Sequence, residues 1–176
     1  MKVKKITELN RITIDEFKKM EKIPLIVVLD NIRSLNNIGS VFRTSDAFLV
    51  EAIYLCGITA KPPHAEIHKT ALGAEDAVEW NYFDKTQDAI SSLRCQGRMI
   101  CAVEQATDSI MLNEFDVDKA QKYAVILGNE VKGVTQEIVD ECDYCIEIPQ
   151  SGTKHSLNVS VAAGLIIWDF FKKMYC

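Results

Sequence analysis

The sequence predicts an α/β protein with a mostly parallel sheet and helices on both of its faces. Short apolar runs rich in β-branched residues alternate along the chain with longer stretches of helical spacing, which is the pattern of parallel strands joined by helices. The run Leu-Ile-Val-Val-Leu at 25–29 is continuously apolar, as expected for a strand that is buried on both faces. A length of 176 residues indicates one domain with enough residues to form a hydrophobic core.

The first half of the chain begins with a helix whose start is marked by a capping box. Thr13 and Glu16 have the spacing that satisfies the first backbone N–H groups of a helix, and Pro24 is predicted to end it. The elements predicted up to the middle of the chain are a helix at 14–20, strands at 25–29 and 52–56, a helix at 37–48, a loop at 61–64, a short helix at 66–73 and a strand at 78–83.

The second half continues the alternation and ends in a long helix. Gly97 stops a helix at 86–94, and Thr135 and Ser156 are the predicted N-caps of two later helices. The remaining predicted elements are strands at 98–103, 123–127 and 144–148, a helix at 135–142 and a C-terminal helix at 157–173.

Composition indicates a globular protein of a reducing compartment. No apolar run approaches the roughly 18 residues of a membrane span, and the basic start lacks the apolar stretch of a secretory signal, so we expect a cytoplasmic protein without a membrane partner. The six cysteines are expected to be reduced and buried. Cys142 and Cys145 form a lone C-x-x-C that lacks the further ligands of a zinc site and does not open a helix, so a structural role is expected.

The formal net charge of −5 argues against a nucleic-acid binder unless the cations gather on one face. His64 and His68 have the four-residue spacing of a metal-binding pair, but no third ligand accompanies them, so no metal site is expected. A local basic patch is expected near the ends of the first strands, from Arg33, Arg43, Lys61, His64, His68 and Lys69.

Three polar segments follow predicted strands, where ligands of parallel sheets bind. The first runs Asn-Ile-Gly-Ser-Val-Phe-Arg from Asn37 to Arg43 and lies in a predicted helix. Gly39 and Arg43 share a helix face, so another backbone or a substrate can approach closely there, and the arginine can bind a phosphate. The alternative for this segment alone is a solvated helix with a surface arginine.

The second segment, Leu-Gly-Asn-Glu-Val-Lys-Gly at 127–133, is only superficially similar to a phosphate-binding loop. The Lys and Ser/Thr of that motif are absent, and Glu130 would repel phosphates. The segment also lacks the glycine spacing of a nicotinamide site. It suits an uncharged or cationic ligand that contacts backbone amides and a carboxylate.

The third segment, at 151–164, leads from a polar loop into the C-terminal helix. Asn158 is predicted to lie in the first turn of this helix, where its side chain can reach the cleft. The small residues at 161–164 allow the helix to pack closely against another backbone. The alternative explanation is a well-packed C-terminal helix without a ligand.

Taken together, the three segments resemble the SpoU-type (TrmH-like) RNA methyltransferases of the SPOUT superfamily. The stretch at 37–43 resembles the first family motif with its Asn and Arg, and 127–133 resembles the second with its Glu. The stretch Ser-Leu-Asn-Val-Ser-Val-Ala-Ala-Gly at 156–164 matches the third almost letter for letter. A segment that many members carry between the first two motifs is similar to 69–75, and the resemblance spans about residues 25–172.

The resemblance implies a fold, a cofactor and an assembly. Members end in a deep trefoil knot, although most chains avoid knots, and they bind S-adenosyl-L-methionine within it. Members are also homodimers whose active site borrows residues across the interface. On the matching positions, the implied cofactor contacts are Leu127, Gly128, Asn129, Ile148, Ser156 and Leu157.

The implied reaction is methyl transfer to a ribose 2′-hydroxyl of an RNA. Arg43 is implied as the base or as its assistant, held in place by the two motif asparagines. Because arginine is normally protonated, a neighbouring RNA phosphate held by Arg43 is the alternative proton acceptor. The residues implied in catalysis are Arg43, Asn37, Glu130, Ser156 and Asn158. RNA contacts are expected from Arg33, Arg43, Lys61, His68 and Lys69.

The chain departs from longer members of this family at its N-terminus. Residues 1–24, expected to form a short helical extension, precede a domain at 25–176, so the substrate-binding domain of longer members is expected to be absent. A tRNA is the first expected substrate, because single-domain relatives often act on tRNA, and an rRNA is the second. A non-catalytic RNA-binding or ribosome-assembly protein on the same scaffold is the alternative. An unrelated nucleotide-binding α/β protein would need fingerprint motifs that the sequence lacks.

Overall fold

Seven parallel strands form the centre of the part of the chain that the structure describes, as a computed structural model of residues 1–5, 8 and 11–176. In chain order the strands are β1 (Ile23–Asp30), β2 (Val50–Cys56), β3 (Glu79–Phe83), β4 (Arg98–Val103), β5 (Ile110–Met111), β6 (Lys122–Leu127) and β7 (Tyr144–Glu147). They lie side by side in the order β3-β2-β1-β6-β4-β7-β5, and every neighbouring pair is parallel.

Helices cover both faces of this sheet. They are α1 (Ile14–Lys19), α2 (Leu35–Ala47), α3 (Ala65–Ala71), α4 (Ala74–Ala77), α5 (Thr86–Cys95), α6 (Gln136–Val139) and α7 (Val159–Tyr175). One apolar core lies between the sheet and α1–α4 and α7, and a second lies between the sheet and α5 and α6. The prediction of an α/β protein with helices on both faces is therefore confirmed. Within the described ranges, we find no helix with the length and apolar character needed to cross a bilayer.

The central strands are buried on both faces and end level with one another. From Leu25 to Leu29, every side chain of β1 is at most 1% exposed, as the continuous apolar run predicts. Leu29 lies level with Leu55 of β2 and Leu127 of β6, and Leu127 in turn lies level with Val103 of β4. The carboxyl ends of these four strands therefore meet at one edge of the sheet.

The first helix begins as predicted but ends earlier. The capping box is confirmed, since Thr13 Oγ1 accepts a hydrogen bond from Glu16 N at 3.2 Å and Glu16 Oε2 accepts one from Thr13 N at 2.7 Å. The helix ends at Lys19, and Pro24 lies inside β1 instead of ending the helix. A proline is tolerated there because it is near the start of the strand, where a ladder donor is least needed.

Two later helices differ from their predicted bounds. Asn158, and not Ser156, is the N-cap of α7, because its Oδ1 accepts a hydrogen bond from Ser160 N at 2.9 Å. The helix predicted at 135–142 is too long, since α6 spans only four residues, and the Thr135 side chain makes no capping hydrogen bond. The two-residue β5 and the four-residue α4 escape prediction because so few residues show no periodicity.

The expectation of buried thiols is wrong for two of the six cysteines. Cys95 and Cys176 are exposed, whereas Cys56 and Cys101 are buried, and all are free. Burial raises the pKa of Cys56 to about 12. Burial also raises the pKa of both thiols of the C-x-x-C pair, so neither is activated. Across the described residues, no group of three or more His, Cys, Asp or Glu side chains is placed to hold a metal ion.

Acidic side chains gather at part of the edge of the sheet that the amino ends of the strands form. A cavity of about 390 Å³ opens there next to Tyr123 of β6 and Tyr144 of β7. The ring of Phe115 meets these two tyrosines edge-on, with centroid distances of 6.2 and 5.5 Å. The carboxylates in the wall of this cavity belong to Glu114, Asp116 and Asp118.

Candidate active site

A cavity of about 610 Å³ opens at the carboxyl edge of the sheet, where β4, β6 and β7 end. This volume is typical of sites for small molecules. The residues that follow these strands and the start of α7 form its wall. All six residues implied as cofactor contacts lie in that wall, namely Leu127, Gly128, Asn129, Ile148, Ser156 and Leu157. The rule that ligands of parallel sheets bind beyond the carboxyl ends of the strands thus leads to this cavity.

The 127–133 loop is held in a tight turn by one asparagine and one glycine. The Oδ1 atom of Asn129 accepts hydrogen bonds from the backbone N–H groups two and three residues further on, at 3.0 and 3.1 Å. Its Nδ2 donates to Asn31 O at 2.7 Å, which attaches the loop to the end of β1. A Cβ at Gly128 would lie 2.2 Å from the carbonyl carbon of Gly133, so only glycine fits at this position.

Glu130 connects this loop to the start of α2. Its carboxylate accepts hydrogen bonds from Arg33 N at 3.0 Å, from Ser34 N at 2.9 Å and from Asn37 Nδ2 at 3.2 Å. A carboxylate is favourable there because the free N–H groups at a helix N-terminus are partially positive. Desolvation acts to raise the pKa of Glu130, but these hydrogen bonds outweigh it and the pKa is lowered. Glu130 is therefore ionised at neutral pH.

Asn37 and Asn158 join the third segment to the other two. Because Asn37 Nδ2 donates to Glu130, its Oδ1 is free to accept, and Asn158 Nδ2 donates to it at 3.2 Å. The Oδ1 of Asn158 accepts from the Ser160 hydroxyl at 2.6 Å, in addition to capping α7. A continuous line of hydrogen bonds thus runs from the 127–133 loop through α2 to α7, at the mouth of the cavity.

Arg43 is not part of this line of hydrogen bonds within one molecule. It is exposed on α2, lies outside the cavity wall and forms no hydrogen bond or ion pair with any described residue. Six positions along an α-helix correspond to about 240° of rotation, so Arg43 and Asn37 project from different sides of α2. The implied positioning of Arg43 by Asn37 and Asn158 is therefore not present as a direct contact in a single chain.

Gly39 marks the place where α2 and α3 cross. A Cβ on Gly39 would lie 2.1 Å from Thr70 Oγ1 and 2.3 Å from Ile67 O. The Thr70 hydroxyl also donates to Asn36 O at 3.0 Å, which fastens the two helices together. Of the two uses expected for Gly39, the structure thus shows the close approach of another backbone.

The other residues expected to contact RNA are exposed, and they lie in two loops and on one helix. Arg33 and Lys61 lie in the loops that follow β1 and β2. The Lys61 Nζ atom lies 4.0 Å from the centre of the Tyr82 ring, a cation–π contact that orients the side chain. His68 and Lys69 lie on α3, where each pairs with a nearby glutamate, at 2.5 and 3.8 Å respectively.

Two residues of the cavity wall that follow β4 carry no motif and were not predicted. Glu104 Oε2 accepts a hydrogen bond from Val134 N at 2.9 Å, and Gln105 Nε2 donates to His155 O at 2.8 Å. Each thus contacts one of the loops that form the cavity. The strand-end rule could have identified them, because the strand predicted at 98–103 ends directly before Glu104.

We expect ionised Glu130 to stabilise the fold above about pH 4.5, its ordinary pKa, and to lose this contribution in more acid solution. A carboxyl whose folded pKa is lowered contributes stability that is present above the unfolded pKa and disappears as the pH falls through the folded pKa. Because Glu130 is exposed, we discount its hydrogen bonds to about 1 kcal/mol, which corresponds to about 2–4 °C in melting temperature.

Melting curves of the unaltered protein and of Glu130→Gln between about pH 3 and pH 7 measure this effect. The variant should melt at a lower temperature at neutral pH, and the two curves should converge in acid. Glu137→Gln, at an exposed glutamate of α6, is the matched control and should follow the unaltered protein throughout. A difference for Glu130→Gln that stays constant with pH would count against this role of the carboxylate.

The fold and the cavity define an α/β protein of the class that binds a small molecule at the carboxyl edge of a parallel sheet. The model of the SpoU rRNA Methylase family matches residues 24–168. The chain therefore belongs to the SpoU family, and the resemblance seen in its three motifs is confirmed.

Individual relatives agree with this membership. A Staphylococcus aureus (strain MSSA476) protein assigned to the TrmH family of tRNA/rRNA methyltransferases is 27% identical over 165 residues, which cover 92% of this chain and 65% of that protein. The crystal structure of the A. aeolicus TrmH/SpoU tRNA modifying enzyme has a TM-score of 0.79 at 30% identity, over 91% of this chain and 80% of that one. The structure of an AdoMet-bound rRNA methyltransferase from Sinorhizobium meliloti has a TM-score of 0.80 at 25% identity, over 91% and 61% of the two chains.

Proposed function

We propose that this protein transfers the methyl group of S-adenosyl-L-methionine to a ribose 2′-hydroxyl of an RNA in the cytoplasm. A tRNA is the first candidate substrate and an rRNA the second. The observation that carries the proposal is the line of hydrogen bonds from Glu130 through Asn37 to Asn158, which joins the three family motifs beside the cavity. The AdoMet-bound S. meliloti relative and the A. aeolicus tRNA modifying enzyme support the cofactor and the class of substrate.

The cavity fits S-adenosylmethionine in size and in chemistry. Its volume of about 610 Å³ accommodates a molecule of this size, and its wall combines the apolar side chains of Leu127, Ile148 and Leu157 with the Ser156 hydroxyl. When bound, this cofactor supplies an electrophilic methyl group on a positively charged sulfonium. The carboxylate of Glu130 in the cavity wall favours a cation over an anion, as the second motif predicts.

The polar side chains at the mouth of the cavity hold the RNA in place for the reaction. Asn37 and Asn158 fix the starts of α2 and α7 relative to each other. Ser156 is exposed in the cavity wall, where its hydroxyl can donate to a ribose or to a phosphate. Arg43 binds an RNA phosphate through its guanidinium, and this phosphate takes the proton of the 2′-hydroxyl, because a protonated guanidinium cannot accept one.

The functional unit is a homodimer that forms through α7. Val161, Leu165 and Trp168 are 51%, 42% and 47% exposed, and their spacing places them on one face of the helix, which we call the α7 stripe. The Trp168 ring lies 5.4 Å from that of Phe48, so the apolar surface continues to the end of α2. Gly164, one of the small residues expected to pack closely, has open space around it in a single chain. An apolar surface of this kind is the usual mark of a protein interface, and a second copy of the chain covers it.

The dimer gives Arg43 access to a cavity. Arg43 is exposed on α2, which packs against α7 in one core and whose C-cap, Phe48, lies beside Trp168 of the α7 stripe. A partner that docks on this surface receives Arg43 near its own cavity, which explains why the arginine is exposed and unpaired in one chain. The catalytic site therefore combines the cofactor cavity of one protomer with Arg43 of the other.

The course of the chain after β7 supports the trefoil knot that the family resemblance implies. The segment 148–158 passes beside the residues that follow β4, where His155 O accepts a hydrogen bond from Gln105. The chain then continues into α7, which packs in the same core as α2 and β1.

Residues 25–176 make up the methyltransferase domain, since the family match begins at residue 24. The N-terminal extension contains α1, whose Phe17 packs in the core.

A methylation assay with labelled S-adenosylmethionine and total RNA tests this function. The purified protein should label one class of RNA, and the label should appear in dinucleotides that resist alkali. A 2′-O-methyl group prevents that oxygen from attacking the adjacent phosphate, so resistance to alkali identifies ribose methylation. The ribose methylations lost when the gene is deleted should identify the nucleotide. RNA binding without transfer would instead indicate the non-catalytic scaffold protein, and label confined to bases would contradict the ribose assignment.

A further inference from the structure

Glu104 connects the end of β4 to the C-terminal end of the 127–133 loop, at Gly133 and Val134. It is the first residue after the strand, and it lies in the cavity wall. Its Oε2 atom accepts a hydrogen bond from Val134 N at 2.9 Å, and its Oε1 atom accepts one from Gln105 N at 2.9 Å. A Cβ on Gly133 would lie 2.1 Å from the same Oε2 atom, so the glycine makes room for the carboxylate.

Hydrogen bonds from neighbouring elements hold both ends of the 127–133 loop, and Glu104 accepts the one at the Gly133–Val134 end. At the near end, Asn129 donates to Asn31 O, and Glu130 accepts from the start of α2. At the C-terminal end, Glu104 accepts a hydrogen bond from Val134 N through its side chain and so links the loop to β4. That end is also held by a hydrogen bond from Gly133 N to the carbonyl of Asn129, at 2.8 Å, which lies within the loop, and by the Val134 side chain, which is buried in the second core.

We infer that Glu104 is a positioning residue for the cofactor, which sets the distance between the end of β4 and the Gly133–Val134 end of the loop. This inference rests on the proposed function of the cavity. A carboxylate suits the task because it accepts from two backbone N–H groups at once, one on each oxygen. A glutamine has only one accepting oxygen, so it can satisfy one of the two N–H groups and presents its own N–H₂ to the other. Hydrogen bonds to a charged acceptor are also about twice as strong as those between neutral groups.

Calorimetric titration of the purified protein with S-adenosylmethionine, and separately with its uncharged thioether product S-adenosylhomocysteine, tests the inference. We expect the Kd to rise about 10-fold in Glu104→Gln and about 100-fold in Glu104→Ala, because the first variant keeps one acceptor and the second keeps none. The rise should be the same for both compounds, since Glu104 acts through the loop and not through the charge on the sulfonium.

Glu147→Gln is the matched control, because Glu147 ends the neighbouring β7 and accepts from Ser109 Oγ at 2.7 Å but lies outside the cavity wall. This variant should lose stability in a melting experiment without a change in either Kd. An unchanged Kd in both Glu104 variants would overturn the inference, as would a loss confined to S-adenosylmethionine, which would indicate direct contact with the sulfonium. Unaltered protein that binds neither compound would overturn the proposed function and this inference with it.

Discussion

Replacement of Arg43 by alanine is expected to lower the rate of RNA methylation by at least about 1000-fold, the loss seen when a charged group that stabilises a transition state is removed. The same change should leave the Kd for S-adenosylmethionine and the melting temperature unaltered. The reason is the position of Arg43, which is exposed, outside the cavity wall and without a hydrogen bond or ion pair to the described residues. Its removal takes nothing from the cofactor or from the core.

Single-turnover methylation of the RNA substrate at saturating cofactor measures the effect of Arg43→Ala. Arg43→Lys should recover only a small part of the rate, because lysine keeps the charge but cannot bind a phosphate with two parallel hydrogen bonds. Arg94→Ala is the control, since Arg94 is also a partly exposed arginine but pairs with Asp143 on the other face of the sheet. If Arg43→Ala retained its rate, or lost cofactor affinity instead, the catalytic role of this arginine would have to be abandoned.

A charged residue in the α7 stripe is expected to separate the dimer into monomers. Leu165→Asp would bury an unpaired carboxylate in each copy, at about 3 kcal/mol per copy, so the dimer Kd should rise about 10⁴-fold. Activity should fall with the loss of the dimer if the site is shared between protomers. Sedimentation velocity over a range of concentrations measures the assembly. Ile14→Asp, at a side chain of α1 that is 45% exposed against 42% for Leu165, is the matched control and should remain dimeric.

Mixing two inactive variants separates a shared site from a site within one chain. Arg43→Ala lacks the catalytic arginine, and Gly128→Ala disturbs the cofactor loop, since its Cβ would lie 2.2 Å from the Gly133 backbone. If the site is shared, a mixed dimer has one intact site, and an equal mixture should regain about a quarter of the full activity. No recovery in mixtures shown to contain mixed dimers would place Arg43 and the cavity in the same protomer.

The strands of the sheet could be predicted well because the short apolar runs that mark them are local in sequence and recur along the chain. The continuous apolar run at 25–29 predicts a strand buried on both faces, and the structure places it in the middle of the sheet. The strand-end rule then identifies the edge where the cavity lies. Elements of two or four residues show no such pattern. The prediction of Ser156 as an N-cap is wrong because serine and asparagine are equally good in that position and both lie near the start of α7.

The contacts of the site could be predicted only in part. The second and third motifs predict which residues line the cavity, but they do not show that Glu130 accepts from Asn37, since such pairs form between residues far apart in sequence. The helical position of Arg43 relative to Asn37 could have shown that the two side chains diverge. No motif marks Glu104, because its contact is with Val134, a residue thirty positions away, and only its place directly after a strand could predict it.

The acidic cavity at the amino edge of the sheet has a consequence for how a polyanion meets this protein. The carboxylates of Glu114, Asp116 and Asp118 gather at one pole of a molecule of net charge −5. At the opposite edge, the exposed Lys132 lies in the cavity wall, and the exposed Arg33 and Lys154 lie in the segments that follow β1 and β7. We expect this separation to repel the proposed RNA substrate from the first pole and to attract it to the second, so that encounters are steered before any contact forms. The negative total charge then limits unproductive binding to the wrong side, and raising the salt concentration should slow the capture of RNA.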